Sequence, residues 1–239
     1  MTKRCLIIGG SSDIGAATAL KTAEAGINVA VHYHSNYEKV KELERLIPKD
    51  RWISSYFGDL STNEGIESFL EEIPDEWDML VFSPGNHSAK LMQDVTPLEM
   101  DDYYHIHVKS LWMITKKLIP HMVQRKQGNI VVVSSVWGEE GASTEVVYSS
   151  VKGAQISFVK ALAKELAPSK IRVNAVTPGF IATKMNQSFT DDETMAIFQD
   201  IPLGRAGECG EVAEGIKYLL QEQSSYITGH VLKINGGWY

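Results

Sequence analysis

The amino-acid sequence predicts an α/β protein built on a doubly wound parallel sheet of about seven strands, with helices on both faces. Short apolar runs alternate with longer amphipathic stretches along nearly the whole chain. This alternation indicates βαβ units, because parallel strands need crossover connections, and those crossovers are right-handed. A glycine-rich turn also follows the first apolar run, where the chain must pass tightly from strand into helix.

Hydrophobic periodicity places the individual elements. Strands are expected at residues 4–9, 28–33, 52–57, 79–82, 130–134, 171–177 and 231–234. Helices are expected at residues 14–25, 37–46, 63–73, 98–125, 147–166 and 212–220. Residues 182–205 show no clear strand, and we expect a short helix there within a lid or binding loop.

Composition limits the classes of protein to which the chain can belong. Its 239 residues are 44% hydrophobic, enough for one substantial core, and we expect a single domain over residues 1–239. The net charge of −7 argues against nucleic-acid binding. Two cysteines suggest neither a disulfide framework nor a thiolate metal site, and no run resembles a signal peptide or a membrane span. We therefore expect a soluble cytoplasmic protein without a metal.

The turn after the first strand reads G-G-S-S-D-I-G, from Gly9 to Gly15. Its glycines permit a tight turn, and Ser11 and Ser12 offer hydroxyl groups beside a helix N-terminus, which is a common phosphate site. The spacing departs from the dinucleotide fingerprint G-x-G-x-x-G. We interpret Asp13 as the acid that caps the helix, with the two serines and the backbone around them facing the phosphates.

The residues after the second and third strands bear on the choice of nucleotide. NAD-specific sites usually place a carboxylate after the second strand, whereas NADP sites need room and hydrogen-bond donors. Here His34, Ser35 and Asn36 follow the strand, so the sequence favours NADPH over NADH. Asp59, which precedes Leu60, either reaches the adenine amino group or forms an ordinary aspartate turn.

Three residues predict carbonyl chemistry when taken together. Tyr148 and Lys152 are four residues apart on a predicted helix, so they share a face, and Ser135 ends the fifth strand. A phenol has a pKa near 10 and acts as an acid at neutral pH only if positive charge stabilises its phenolate. We expect Lys152 to supply that charge, Tyr148 to protonate a substrate oxygen, and Ser135 to hydrogen-bond the same oxygen.

With these residues in place, the sequence resembles the short-chain dehydrogenase/reductases over nearly its whole length. The matching motifs are the glycine-rich turn, D-L at 59–60, the S…Y-x-x-x-K set, V-N-A-V-T-P-G at 173–179 and Y-I-T-G-H-V-L-K-I-N-G-G at 226–237. The resemblance implies a Rossmann-type sheet, a nicotinamide cofactor, reversible carbonyl/alcohol chemistry and, in many members, a homotetramer. It also implies contacts to the nicotinamide end from Ile181 and Thr183.

The predicted cofactor contacts follow five of the predicted strands, and two more, Tyr148 and Lys152, lie on a predicted helix. They are Gly9, Ser11, Ser12, Asp13, Ile14, Gly15, His34, Ser35, Asn36, Asp59, Leu60, Gly85, Tyr148, Lys152, Pro178, Gly179, Ile181 and Thr183.

The chain departs from the family pattern at three places. Asp13 replaces the middle glycine of the turn, and F-S-P-G at 82–85 retains only Gly85 of the family's N-N-A-G. His107 aligns with the asparagine of the family's catalytic tetrad. Either its imidazole holds a relay water or titrates, or it is a packed histidine with a satisfied hydrogen bond.

Two substrates fit the resemblance. The nearest likeness is to 3-oxoacyl-acyl-carrier-protein reductases, for which a basic patch of Lys116, Lys117, Arg125 and Lys126 would meet an acidic carrier, unless these cations only stabilise a helix C-terminus. Residues 134–149 also resemble reductases that act on a 5-aminopentanone group carried by bacterial elongation factor P. In that case Glu139, Glu140 and Glu145 would attract the substrate's amine, unless they are ordinary surface acids.

Two other classes of function compete with an enzyme. The three departures suggest a catalytically weak nucleotide-sensing protein, whereas the intact serine, tyrosine and lysine argue against it. A purely structural subunit has little support beyond the expected oligomer.

Overall fold

The computed structural model describes residues 2–186 and 189–239, and within them seven parallel strands form one sheet. The strands are β1 (Arg4–Ile8), β2 (Asn28–Tyr33), β3 (Trp52–Phe57), β4 (Met79–Phe82), β5 (Gly128–Val133), β6 (Ile171–Pro178) and β7 (Val231–Ile234). Their order across the sheet is β3-β2-β1-β4-β5-β6-β7, and every pairing is parallel. The order reverses direction between β1 and β4, which places the topological switch point there.

Helices cover both faces of this sheet. They are α1 (Asp13–Glu24), α2 (Tyr37–Leu46), α3 (Asn63–Glu72), α4 (Pro97–Tyr104), α5 (Ser110–Arg125), α6 (Trp137–Glu140), α7 (Val146–Leu166), α8 (Asp191–Asp200) and α9 (Cys209–Leu220). No helix in the described ranges is long and apolar enough to cross a membrane.

Two apolar cores lie on opposite faces of the sheet. One joins Phe69 of α3 and Leu118 of α5 to β-strand side chains and to α7. The other joins Ala19 of α1, Leu43 of α2 and Ile216 of α9 to the opposite side chains of the same strands. Burial on both faces explains why the central strands read as continuous apolar runs rather than as alternating ones.

The predicted doubly wound fold is confirmed, and the differences are local. The helix expected over 98–125 is three consecutive pieces, because a π-helical segment, His105–Lys109, separates α4 from α5. The four-residue helix α6 was not predicted, since so short an element carries no periodic signal. The short helix expected within residues 182–205 is α8, and the part of that stretch at 187–188 lies outside the described residues.

Gly15 sets how closely α1 approaches β1. A Cβ atom added there would lie 2.1 Å from the carbonyl oxygen of Gly9, a distance that forces the turn or the helix to move. Gly210, near the start of α9, provides the contrast, because a Cβ atom there meets nothing within 4 Å.

We predict that Gly15→Ala lowers the free energy of unfolding by about 1–3 kcal/mol, the usual effect of overpacking. Urea unfolding followed by circular dichroism measures the change. Gly210→Ala is the matched control and is expected to be neutral or to stabilise by up to about 1 kcal/mol. Equal effects of the two substitutions would contradict the role given to Gly15.

Candidate active site at the carboxyl edge of the sheet

The carboxyl ends of the strands open into a continuous cleft. Two adjoining cavities, of about 500 Å³ and about 370 Å³, share Ser11, Ser12, Ser35, Asn36 and Gly85 in their walls. The larger one also contains the catalytic candidates, and the smaller one extends toward the ends of β2 and β3. In a doubly wound sheet, ligands bind at this edge, beside the switch point.

The glycine-rich turn is packed too tightly to accept side chains. Gly9 has a φ of 73°, and a Cβ atom on it would lie 2.5 Å from the carbonyl oxygen of Ser83. A Cβ atom on Gly10 would lie 2.6 Å from the Val31 side chain. Because neither glycine carries a side chain, the backbone of the turn and the N-terminus of α1 are open to the cleft. This exposed backbone is suited to the diphosphate of a dinucleotide.

The prediction that Asp13 caps α1 was wrong. Ser12 is the N-cap, and its hydroxyl oxygen accepts a hydrogen bond from the backbone N–H of Gly15 at 3.1 Å. Asp13 is the first helical residue, and its carboxylate instead accepts a hydrogen bond from the backbone N–H of Lys184 at 2.8 Å. The sequence could not show this contact, because the two residues are 171 positions apart.

His32 joins the turn after β1 to the loop after β3. Its Nδ1 accepts a hydrogen bond from the backbone N–H of Gly9 at 3.1 Å, and its Nε2 donates to the carbonyl oxygen of Gly58 at 3.0 Å. Burial lowers the pKa of the imidazole to about 4, so the neutral form that these two bonds require persists at neutral pH. Sequence reasoning missed this residue, although a histidine within the apolar run V-A-V-H-Y was a signal.

The far end of the cleft is lined by the residues expected to contact adenosine. His34, Ser35 and Asn36 are exposed on its wall, and the Asn36 side chain caps α2 by accepting from the N–H of Lys39 at 3.2 Å. Asp59 lies in the same wall and forms the aspartate turn, accepting from the N–H and hydroxyl groups of Ser61 at 2.9 and 2.7 Å. Its second carboxylate oxygen is not engaged in these two bonds.

The remaining predicted cofactor contacts fall along the same cleft. Four sit in the wall beyond β6, where the chain leaves the sheet: Pro178, Gly179, Ile181 and Thr183. Ile14 and Gly85 line the same cavity, and Leu60 lines the adjoining one.

Ser135, Tyr148 and Lys152 meet in the wall of the larger cavity. The fold brings them together by fixing α7 against the end of β5. The hydroxyl group of Ser134 donates to the carbonyl oxygen of Lys152 at 2.9 Å, and the Lys152 ammonium donates to the carbonyl oxygen of Val133 at 3.0 Å. Lys152 Nζ lies 5.5 Å from the centre of the Tyr148 ring, so the two side chains share one face as predicted from their spacing.

The expected effect of Lys152 on the pKa of Tyr148 is not seen. Burial raises the pKa of Tyr148 above its ordinary value, a hydrogen bond with Ser135 acts against this, and the negative charge of Glu145 adds to it. Burial also lowers the pKa of Lys152 to about 7. Desolvation therefore outweighs the expected attraction between the Lys152 ammonium and the Tyr148 phenolate. It also leaves Lys152 able to gain or lose a proton near neutral pH.

His107 lies on the π-helical segment and is fully buried. Its Nε2 lies 2.8 Å from Oδ1 of Asn86, its ring stacks on Tyr103, and its edge faces the Tyr148 ring at 5.8 Å between centres. Nδ1 is buried without a protein partner. Burial, followed by the charge of Lys152, holds the pKa of His107 well below its usual range, so the imidazole stays neutral and does not titrate near pH 7.

A buried carboxylate lies on the outer side of Tyr148. Oε1 of Glu145 pairs with Nε2 of His87, whose ring meets the Tyr148 ring edge-on at 5.5 Å between centres. The second carboxylate oxygen is buried and has no protein partner. The other two acids of that stretch, Glu139 and Glu140, lie within 3.6 and 3.7 Å of the Lys233 ammonium instead. Of the three, only Glu145 approaches the catalytic groups.

This fold and this site define a class of protein. A family model described as enoyl-(acyl carrier protein) reductase matches residues 9–239. The chain belongs to the short-chain dehydrogenase/reductase family, as its motifs predicted, and it is an oxidoreductase of the kind that uses a nicotinamide cofactor.

Individual relatives agree over the full length of the chain. It is 42% identical over 241 residues to an uncharacterised oxidoreductase, YmfI, of Bacillus subtilis strain 168, covering 100% of both chains. It is 32% identical over 244 residues to the 3-oxoacyl-[acyl-carrier-protein] reductase FabG of Staphylococcus aureus strain Mu50, covering 100% of this chain and 99% of the relative. Among solved structures, acetoin dehydrogenase from Enterobacter cloacae superposes with a TM-score of 0.88 at 29% identity, covering 100% and 96%.

We predict that Lys152 makes the stability of the cofactor-free protein rise with pH. Between a folded pKa of about 7 and the ordinary value of 10.5, the unfolded chain binds a proton that the folded chain has released, so stability increases as pH rises through this range. Thermal unfolding at several pH values between about 7 and 9 measures the effect.

Lys152→Met should remove that rise, whereas Lys164→Met, which removes an exposed lysine of the same helix, should keep it. A parallel pH dependence in the wild type and Lys152→Met would contradict the proton release assigned to Lys152.

Proposed function

We propose that the protein is an NADPH-dependent carbonyl reductase that converts a ketone to a secondary alcohol. The observation that carries the proposal is the convergence of Ser135, Tyr148 and Lys152 in the lining of the same cleft that the glycine-rich turn lines. A dinucleotide along this cleft would have its phosphates at the start of α1 and its reactive ring beside Tyr148.

The three side chains have distinct roles in this proposal. The reduced nicotinamide supplies the hydride when it is bound. Ser135 orients the substrate carbonyl through its hydroxyl group, and Tyr148 donates the phenol proton to the same oxygen as negative charge develops there. Lys152 then returns a proton toward the phenolate, a role that suits a pKa of about 7.

His107 is proposed to act as a positioning residue in this proton path. Its Nε2 faces the Asn86 side-chain oxygen, so that nitrogen carries the hydrogen and the buried Nδ1 is left as an acceptor. A water molecule that donates to Nδ1 would connect the imidazole with Lys152, whose charge lowers the pKa of His107. The neutral imidazole would thereby hold the relay water in place of the family's asparagine.

The preference for NADPH rests on the end of β2. The three residues that follow the strand, His34, Ser35 and Asn36, carry no carboxylate that would repel a 2′-phosphate. They are exposed on the cavity wall, which leaves room for that group. NADH remains the less favoured cofactor in this proposal.

The first candidate substrate is a 3-oxoacyl thioester on an acyl carrier protein. Full-length similarity to FabG supports it. The cations expected to meet a carrier, Arg125 and Lys126, line a separate cavity of about 530 Å³ together with Asn129 at the amino end of β5. That edge is opposite the cleft that Ser135, Tyr148 and Lys152 line, so these two cations do not support a carrier docked at the mouth of the same chain's cleft.

The second candidate is the 5-aminopentanone group on elongation factor P. Glu145 favours it, because a buried carboxylate beside Tyr148 raises the pKa of the phenol and so opposes its ionisation. A cationic amine on the substrate would offset that charge. In either case we propose a cytoplasmic homotetramer, as is common in the family, and the weak nucleotide sensor remains the competing class.

We predict that Tyr148→Phe lowers the rate of ketone reduction by about two orders of magnitude or more, the usual loss on removing a positioned acid. NADPH absorbance with a reactive diketone measures it. NADPH fluorescence should show nearly unchanged cofactor binding. Tyr103→Phe is the control, because it removes a neighbouring hydroxyl group that accepts from the N–H of Ser88 and keeps the ring.

Comparable rates in the wild type and Tyr148→Phe would refute the acid role. A wild type that binds NADPH but reduces no diketone would instead favour the nucleotide sensor.

A second prediction separates the two substrates. Under one set of conditions, we expect kcat/KM for an acetoacetyl carrier thioester to exceed that for aminopentanone-bearing elongation factor P by about tenfold or more, a difference that about 1.4 kcal/mol of transition-state binding provides. The reverse order would assign the second substrate. Glu145→Gln should then lower kcat/KM for the aminopentanone alone and leave a neutral diketone unaffected.

A further inference from the structure

Asp13 connects two segments that line the cofactor cleft. One of the segments that line the cleft is the glycine-rich turn at the start of α1, and another is the turn that follows β6, residues 181–186. The Asp13 carboxylate accepts a hydrogen bond from the backbone N–H of Lys184 at 2.8 Å. Asp13 and Lys184 both line the larger cavity, so this bond joins two segments of its lining.

Capping of α1 does not account for the acid. Ser12 already fills that position through its bond from Gly15. The same arrangement recurs in α3, where Thr62 accepts from the N–H of Gly65 at 3.0 Å. In α1 and α3 the hydroxyl residue alone caps the helix, so the bond to Lys184 is an additional property of Asp13.

The turn at 181–186 is ordered mainly by bonds on its own side of the cleft. The N–H of Ala182 donates to the carbonyl oxygen of Gly207 at 2.8 Å, and the Asn186 side chain donates to the carbonyl oxygen of Ile181 at 2.8 Å. These contacts shape the turn but do not determine its distance from the phosphate-binding wall. Within the described residues, the bond from the N–H of Lys184 to Asp13 is the one hydrogen bond that joins this turn to the glycine-rich turn, and Thr183 of the turn lines the cavity.

The same carboxylate carries an electrostatic cost. It stands in the first turn of α1, where the diphosphate of a dinucleotide would bind, and like charges repel. A residue that served only cofactor affinity would be neutral here. Hence the charge and the hydrogen bond of Asp13 have opposite effects on the reaction.

We propose that Asp13 is a positioning residue that holds the turn at 181–186 over the cofactor cleft, at the expense of some cofactor affinity. Its kinetic consequences rest on the proposed reductase function. The hydrogen bond itself is independent of that function and is measurable without turnover.

The test compares Asp13→Ala, Asp13→Asn and Glu64→Ala by amide hydrogen exchange of peptides covering residues 181–186. Asparagine keeps an oxygen acceptor but removes the charge. Glu64→Ala removes an acid from the equally capped first turn of α3 and serves as the control. We expect exchange in this segment to be about fivefold faster or more in Asp13→Ala, from loss of one hydrogen bond, and near wild type in the other two.

Kinetics with NADPH and a diketone supply the second measurement. Asp13→Ala should raise KM for the diketone several-fold, Asp13→Asn should recover most of that loss, and Asp13→Asn should bind NADPH more tightly than the wild type. Unchanged exchange in Asp13→Ala would overturn the proposal, as would identical behaviour of the alanine and asparagine variants. If the wild type reduces no ketone but exchange responds as expected, the positioning role stands and the reductase function fails.

Discussion

The active site depends on how α7 is attached to the end of β5. The Ser134 hydroxyl bonds to the backbone of Lys152, and the Lys152 ammonium bonds to the backbone of Val133, so the strand and the helix are joined in both directions. A Cβ atom on Gly138 would lie 2.8 Å from the Lys152 carbonyl carbon, which shows how closely the intervening turn fits. Because the ammonium is buried where the strand and the helix are joined, desolvation dominates the pKa of Lys152.

Electrostatic balance in the site is therefore set by groups that surround the catalytic three. The neutral His107 and the buried pair of Glu145 and His87 all have their rings or charges against Tyr148. In isolation this environment disfavours the phenolate. The reaction proposed here thus needs positive charge that arrives with the cofactor or the substrate, which makes chemistry conditional on both being bound.

Sequence reasoning predicted the fold and the convergence of Ser135, Tyr148 and Lys152 on one cavity, because both depend on local patterns. Residues 28–33 and 231–234 were placed as strands with their observed bounds, and the four-residue spacing of Tyr148 and Lys152 was sufficient to put them on one face. Contacts between segments that are distant in the sequence could not be predicted from these local patterns. Aspartate is a common helix cap, so the sequence indicated a cap at Asp13 and not an acceptor for the backbone N–H of Lys184. The π-helical turn around His107 adds one residue to the turn, and hydrophobic periodicity does not show it. Likewise, nothing in the sequence links His87 to Glu145, 58 residues later.

His32 has a consequence for the dynamics of the cleft. A single imidazole serves as acceptor for Gly9 and donor for Gly58, and it packs edge-on against Phe69 of the core below. Each glycine segment is bonded to this same ring, so displacement of the ring by one segment disturbs the bond of the other. The adenosine half of the cleft should accordingly open as one cooperative unit, with breathing motions of the two loops correlated rather than independent.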